Sequence, residues 1–331
     1  MSTAIGDKNF ALKLPNVEGK ISYGKMMADI SWMRVGGAAE VFFKPKSLDD
    51  LRIFLANLSP DIRVFPLGVG SNLIVRDGGI KGVVIRLGQN FSNIEIANNF
   101  VIAGAGALDS RVAEKAAEGG VDLSFLRTIP GTIGGAIKMN AGCYGSCIGD
   151  VLISADVMLR SGEIRTYSTE DLKLNYRTSG LPEESIVVNA KFKAKRRPPK
   201  QIISRMRSNQ ASRAQTQPVR EKTCGSTFKN PVAYSKVKDQ KSDDRMEAWY
   251  LIDKVGLRGF SIGGAKVSSL HSNFLINTGS ATADDVESLG EYIQKKVLEE
   301  TSVKLEWEVR RVGTRIKPDK ETNLNQKDAR D

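Results

Sequence analysis

The chain is poor in the residues that build metal sites and disulfide frameworks. Its 331 residues contain three cysteines and one histidine, His271. Cys143 and Cys147 are spaced C-x3-C and Cys224 lies far from both, which gives no paired framework and points to reduced thiols acting as small packing residues. A Cys/His zinc site is excluded on the same grounds. No apolar run approaches the roughly 18 residues that span a bilayer. The N-terminus, "MSTAIGDKNFALKLPNVEGK", has no apolar h-region, so the expectation is a cytoplasmic protein with no membrane partner. At 40% hydrophobic and 26% charged residues, the composition is that of an ordinary globular chain with room for two or three domains.

Positive charge is in excess and clustered. The net charge is +11, and residues 191–222 hold eleven Lys or Arg against one acid, Glu221. Such a segment can serve nucleic acid, a smaller polyanion or simple solvation. Phe192 is its one aromatic side chain, so base stacking has little to work with and nucleic acid ranks last.

A coarse pass gives strands and helices in alternation. "AEVFFKP" alternates as a strand, and "SLDDLRIFLANL" has helical spacing behind Ser47 as N-cap. Short strands follow at "IRVFPLG", "NLIVRD", "GVVIRLG" and "FSNIEIANNFVIAGAGA", then a helix from Asp109 to Glu118 stopped by Gly119-Gly120. "VLISADVMLRSGEIRTYS" is a hairpin turning at Ser161-Gly162, and "RRPP" after "SIVVNAKFKAK" marks a domain boundary. The second half opens with a basic helix over 200–214. It continues through a charged insert at 236–245, a helix at "MEAWYLIDKVG", strands at "FSIGGAKVS" and "HSNFLINTG", and the amphipathic helix "TADDVESLGEYIQKKVLEETS". "KLEWEVRRVG" is predicted as a closing alternating strand, with Glu306 and Glu308 on one face and Trp307 on the other.

Two glycine turns carry the strongest chemical signal. "PLGVGSNLIV" places Gly68, Gly70, Ser71 and Asn72 after one strand and before another, with Leu73 where a G-x-G-x-x-G fingerprint needs glycine. Neither a dinucleotide fold of that type nor a P-loop is supported. Successive turn amides still make an anion-binding nest without a helix behind them. "IPGTIGGA" is read as a second loop of the same kind, and two such loops suggest one long ligand with a pyrophosphate. Other motifs are weaker singly. "CGSTFKNP" holds Ser226 in a loop; with His271 elsewhere a Ser-His-Asp triad stays open, although G-x-S-x-G is absent. "NYRTSG" places Arg177 just after a strand start.

In order, "MRVGGAAE", "PLGVGSNLIVRDGGIKGVVIRLG", "IPGTIGGAIKMNAGCYG", "NYRTSG", "GSTFKNP", "IGGAKVSSLHSNFLINTGSATADDV" and "LEWEVRRVG" resemble the UDP-N-acetylenolpyruvoylglucosamine reductase family over roughly 30–313. The resemblance implies an α+β chain. Residues 1–25 are then a helical or irregular lead-in, and 26–197 a vanillyl-alcohol-oxidase (PCMH)-type FAD-binding domain of two α+β subdomains. Residues 198–313 are an α+β substrate-binding domain; 314–331, with only Ile316 and Leu324 as sizeable apolar residues, read from composition as a disordered tail. The resemblance implies FAD and NADPH as cofactors, a UDP-sugar substrate, and a monomer or weak oligomer.

Residue by residue, the resemblance assigns Gly68, Gly70, Ser71, Asn72, Pro130, Gly131, Thr132, Gly134 and Arg310 to the flavin. It makes Arg177, Ser226 and Glu308 catalytic, and Lys229 and Asn230 substrate contacts. It implies that the basic segment forms a rim that attracts polyanions. No Tyr occurs between Tyr176 and Tyr234, which resembles the short-loop branch, without a tyrosine-bearing cover. Thr128 stands where glycine is common in the family and Cys143 where alanine is common. The nearest rival is another flavin oxidase of the same fold acting on a sugar or lactone; a non-enzymatic RNA-binding protein is the rival from another class.

Overall fold

The computed structural model describes residues 14–97, 99–231 and 246–316. The chain begins with β1 (Lys20–Met26), β2 (Ala38–Lys44), α1 (Leu48–Asn57), β3 (Val64–Leu67), β4 (Leu73–Val75) and β5 (Ile80–Arg86). Lys20 already pairs with Lys44 in an antiparallel ladder, so the expected irregular lead-in ends earlier than residue 25; residues 1–13 lie outside the described residues. The sheet order is β1-β2-β5-β3, with β5 parallel to both of its neighbours. A parallel pair needs a crossover, and α1 helps to supply it between β2 and β3. Ser47 caps that helix, accepting from Asp50 N at 3.1 Å. Phe43 and Phe54 stack at 4.2 Å and fix helix to sheet.

The next unit contains β6 (Ile94–Ala97), β7 (Phe100–Gly104), α2 (Asp109–Glu118), α3 (Ile133–Lys138), β8 (Gly142–Cys143), β9 (Ser146–Cys147), β10 (Leu152–Met158), β11 (Ile164–Ser168) and β12 (Ile186–Lys193). Its antiparallel sheet has the order β11-β10-β12-β7-β6. The buried face of α2, Val112, Ala113, Ala116 and Ala117, is made of small side chains, which lets the helix lie close to its neighbours. Gly162 turns the β10–β11 hairpin at φ +83°, a conformation that favours glycine.

The last unit holds α4 (Pro199–Thr216), β13 (Lys222–Ser226), α5 (Ala248–Lys254), β14 (Ser261–Ile262), β15 (Ala265–Val267), β16 (Phe274–Asn277), α6 (Ala283–Thr301) and β17 (Arg310–Val312). Its sheet runs β13-β16-β15-β14. The insert at 236–245 lies outside the described residues. Helix α6 starts with a capping box between Thr282 and Asp285 and buries Val286, Leu289, Ile293 and Val297.

The C-terminal unit is tied back to the first. β17 pairs in parallel with β4, Arg310 opposite Leu73. Asp77 accepts the amides of Ala283 and Asp284, both at 3.0 Å. Arg76 holds the fully buried Glu287 through two hydrogen bonds of 2.9 and 3.0 Å. The expected long strand "KLEWEVRRVG" is therefore corrected: its pairing with the first unit is confined to three residues, and Trp307 touches Phe228 through an isolated bridge. Thr314 N donates to Gly79 O and Arg315 pairs with Asp284 and Glu291, so 314–316 are anchored; 317–331 lie outside the described residues. No described helix is long and apolar enough to cross a membrane.

Candidate active site

The first glycine turn joins β3 to β4 with no helix behind it. Gly70 has φ +69°, and a Cβ there would sit 3.2 Å from Ser31 Cα. A Cβ at Gly68 would approach Thr132 Oγ1 to 2.7 Å, so the two glycine turns meet here and leave no volume for a side chain. The second turn differs from its expectation as an open loop, because α3 starts at Ile133 directly behind Thr132. Thr132 is extended and its pair, Leu108, bridges it from the start of α2. Among the described residues, the amides of Val69, Gly70 and Ser71 in one turn and of Gly131 and Thr132 in the other donate to no acceptor. Unpaired amides side by side at a cleft wall form an anion cradle.

Arg177, Ser226 and Glu308 come from distant parts of the chain. Arg177 sits in a turn, not at a strand start; Asn175 and Thr178 exchange backbone hydrogen bonds of 3.1 and 3.2 Å around it, and its φ is +57°. Its Nε donates to Glu308 Oε1 at 2.5 Å, and its guanidinium lies over the Tyr176 ring at 4.9 Å. Glu308 is fixed by its amide, which donates to Thr227 O at 2.8 Å. Burial pushes its carboxyl above the usual range, while Arg177 and then Lys229 pull the other way. For Arg177 burial opposes the charge, yet Glu308 holds its pKa above the ordinary value. Glu306 is not buried in this way: its side chain is 70% exposed against 12% for Glu308. Ser226 ends β13 and does not lie in a loop; it follows Gly225 at φ +82° and an irregularity in the ladder with β16.

One cleft of about 1410 Å³ takes in all of these groups. It is lined by Gly68, Gly70, Ser71 and Asn72, by Pro130, Gly131, Thr132 and Gly134, and by Arg177, Ser226, Glu308 and Arg310. Lys229 and Asn230, expected as substrate contacts, are not among its lining residues. Lys229 pairs with Glu306 at 3.7 Å, and Asn230 Oδ1 accepts from Ala248 N at the start of α5. His271 is also absent from the walls and packs between Trp249 and Phe274, so Ser226 has no histidine for a triad. No group of three or more metal-ligating side chains forms among the described residues.

Residues 39–168 match the family model for an FAD binding domain, and residues 217–312 that for the C-terminal domain of UDP-N-acetylenolpyruvoylglucosamine reductase. The UDP-N-acetylenolpyruvoylglucosamine reductase of Ruegeria pomeroyi is 51% identical over 297 residues, covering 90% of this chain and 96% of its own. That of Roseobacter denitrificans is 49% identical over 309 residues, 93% of this chain and 99% of its own. The crystal structure of UDP-N-acetylenolpyruvylglucosamine reductase from Thermus caldophilus superposes with a TM-score of 0.74 at 32% identity, over 89% of this chain and 99% of that one. The chain belongs to the UDP-N-acetylenolpyruvoylglucosamine reductase family.

The cleft fits the flavin that this reductase family implies. The unpaired amides of both glycine turns stand in its wall beside polar and apolar side chains, the donor set a diphosphate on an aromatic ring system needs. Thr223 Oγ1, buried in the same wall, has no hydrogen-bond partner among the described residues.

Sequence reasoning missed several wall residues of the reductase. Lys138, Arg213, Thr223 and Asp109 all line the cleft. Arg213 had a signal, since it belongs to the basic segment, but its inward direction did not: it donates to Thr128 O from α4. Of the eleven basic residues over 191–222, Arg213 is the one that lines the cleft. The walls are basic for another reason, with nine Lys or Arg against five Asp or Glu drawn from every unit. Thr128 and Cys143 touch each other, Oγ1 to Sγ at 3.3 Å.

Proposed function

We propose that Arg177, Ser226 and Glu308 carry the chemistry by which this enzyme reduces UDP-N-acetylenolpyruvoylglucosamine to UDP-N-acetylmuramate in peptidoglycan synthesis, with FAD and NADPH. FAD, when bound, supplies at its reactive face the hydride it has taken from NADPH. The protein's part is to bind, orient and handle charge. The amides of the two glycine turns would hold the flavin diphosphate, and Arg310, two residues beyond Glu308, bounds the same wall.

Hydride addition at C3 of the enolpyruvyl group leaves negative charge at C2 and on its carboxylate. Arg177 is the cation that stabilises this charge, pre-oriented by its bond to Glu308. Glu308, whose burial favours the protonated form, shares a proton with the same region instead of adding a second negative charge. Ser226 delivers its hydroxyl proton to C2 and takes one back from solvent, which completes the reduction: hydride on C3, proton on C2, double bond lost. Lys229 acts indirectly, easing the charged form of Glu308. The same reading places the enzyme in the cytoplasm, within reach of NADPH.

The observation that carries this is the meeting of Arg177, Ser226 and Glu308 with both glycine turns in one cleft. The visible spectrum tests it. The purified protein is expected to be yellow, bleached by NADPH and recoloured by the enolpyruvyl sugar nucleotide. A colourless protein that oxidises no NADPH overturns it.

A further inference from the structure

Asp109 opens α2 and is 0% exposed. Both of its carboxyl oxygens lack a hydrogen-bond partner, and among the described residues no other side chain has two such atoms. Folded proteins rarely leave buried polar groups in that state, so each instance calls for a physical reason. The position supplies one. Asp109 N donates to Gly131 O at 3.1 Å, and a Cβ at Gly131 would lie 2.5 Å from Asp109 Oδ2. The carboxyl therefore lies against Gly131 where a side chain there would sit, and both residues belong to the same cleft wall. The amides of Gly131 and Thr132 are unpaired as well. The turn thus has unmet hydrogen-bonding capacity both in its own amides and in the side chain packed against it.

Burial holds the Asp109 carboxyl well above the usual range, which leaves it an O–H to donate. A protonated acid can stand behind a diphosphate; a carboxylate there would repel it. We propose that Asp109 is a positioning residue for the second glycine turn: when the cofactor diphosphate seats on the amides of Gly131 and Thr132, the turn closes onto the Asp109 side chain, which then takes up its missing hydrogen bond. Cofactor binding and satisfaction of Asp109 are one coupled event. This rests on the assignment of residues 130–132 to the flavin.

Two substitutions separate this from a merely structural role. Asp109→Leu keeps the branched shape, with larger methyl groups in place of the oxygens, and removes the unpartnered polar group. It is expected to leave the melting temperature of the flavin-free protein unchanged or raised, while FAD release on dilution of the holoenzyme shows affinity weakened by about tenfold or more. Asp109→Asn keeps a donor and an acceptor and is expected to hold FAD within about threefold of the parent. A loss well short of about tenfold in Asp109→Leu overturns the proposal. Gly131→Ala tells the two ideas apart: if it releases FAD while Asp109→Leu does not, the coupling falls and the turn assignment stands; if it leaves FAD untouched, the assignment itself falls. Should Asp109→Leu fail to fold, infrared difference spectra of the full chain with and without FAD decide. The protonated-carboxyl band that is absent in Asp109→Asn must shift on FAD binding; an unshifted band overturns the proposal.

Discussion

Arg177 Nε and Glu308 Oε1 meet at 2.5 Å although 131 positions separate them in sequence. Their side chains are 21% and 12% exposed, so the pair lies inside the wall of the cleft. Arg177 holds a left-handed backbone to reach it, which costs a side-chain-bearing residue on the order of 1 kcal/mol. The reciprocal bonds of Asn175 and Thr178 offset that cost. The result is a guanidinium with a fixed direction beside a carboxyl that burial inclines toward its protonated form.

That inclination fixes the sign of a pH effect. Glu308 titrates above the ordinary carboxylate value, so its proton leaves as pH rises through the raised pKa. Substrate reduction is expected to fall along that limb. Glu308→Gln, neutral throughout, is expected to be slower but to lose the limb; single-turnover reoxidation against pH checks it, and a surviving limb assigns it to another group. Stability follows the same sign. Unfolded glutamate ionises near about 4.3, so stability declines from there up to the folded pKa, and Gln abolishes that slope.

Ser226→Ala separates the two half-reactions. NADPH needs no proton from this hydroxyl, so flavin bleaching is expected at an unchanged rate. Turnover with the enolpyruvyl substrate is expected to fall by about 10²–10⁴, the usual weight of a positioned proton donor. Stopped-flow absorbance measures both. Unchanged turnover would remove Ser226 from the mechanism.

The elements with local causes were legible in the sequence. Ser47 capping α1, the Gly119-Gly120 stop after α2 and the Ser161-Gly162 hairpin all depend on neighbouring residues, and all are where the pattern puts them. The turn of Arg177 and the brevity of β17 were not legible. The first depends on a left-handed residue held by Asn175 and Thr178, and the second on which residues of 304–313 find β4. The expected site residues came from ordered motifs, and a motif does not show what a side chain touches: Lys229 pairs with Glu306, and Asn230 accepts from the start of α5. Asp109 had no motif at all. Its peculiarity is a missing hydrogen bond, which a linear pattern cannot express.

Cleft charge predicts a salt response with a location. Nine basic against five acidic wall residues concentrate anionic substrates, and a Debye length of about 8 Å at physiological salt screens part of that attraction. KM for the UDP-sugar is expected to rise several-fold from low salt to about 0.15 M, with kcat little changed. Arg213→Gln, in the wall, is expected to raise KM at low salt. Lys200→Gln and Arg207→Gln, exposed on α4 away from the cleft, are expected to leave it alone. Equal effects from all three would return the role to the basic segment as a whole.

Gly290 in α6 sets helix propensity against packing. Alanine in place of a mid-helix glycine is ordinarily favourable by about 1 kcal/mol. Here a Cβ would come within 2.1 Å of Trp307 Cη2. The indole has little freedom to give way: Nε1 donates to Gln294 at 2.9 Å, Arg311 lies over the ring at 4.5 Å, and Phe228 packs against it at 5.2 Å. Overpacking of such a site costs about 1–3 kcal/mol, so packing wins and Gly290→Ala is expected to lower the denaturation midpoint. Because Glu308 follows Trp307 directly, a displaced indole also moves the carboxyl away from Arg177, and kcat is expected to fall with stability. A stabilised variant with full turnover would show that Trp307 slides freely and that the site is not braced from α6.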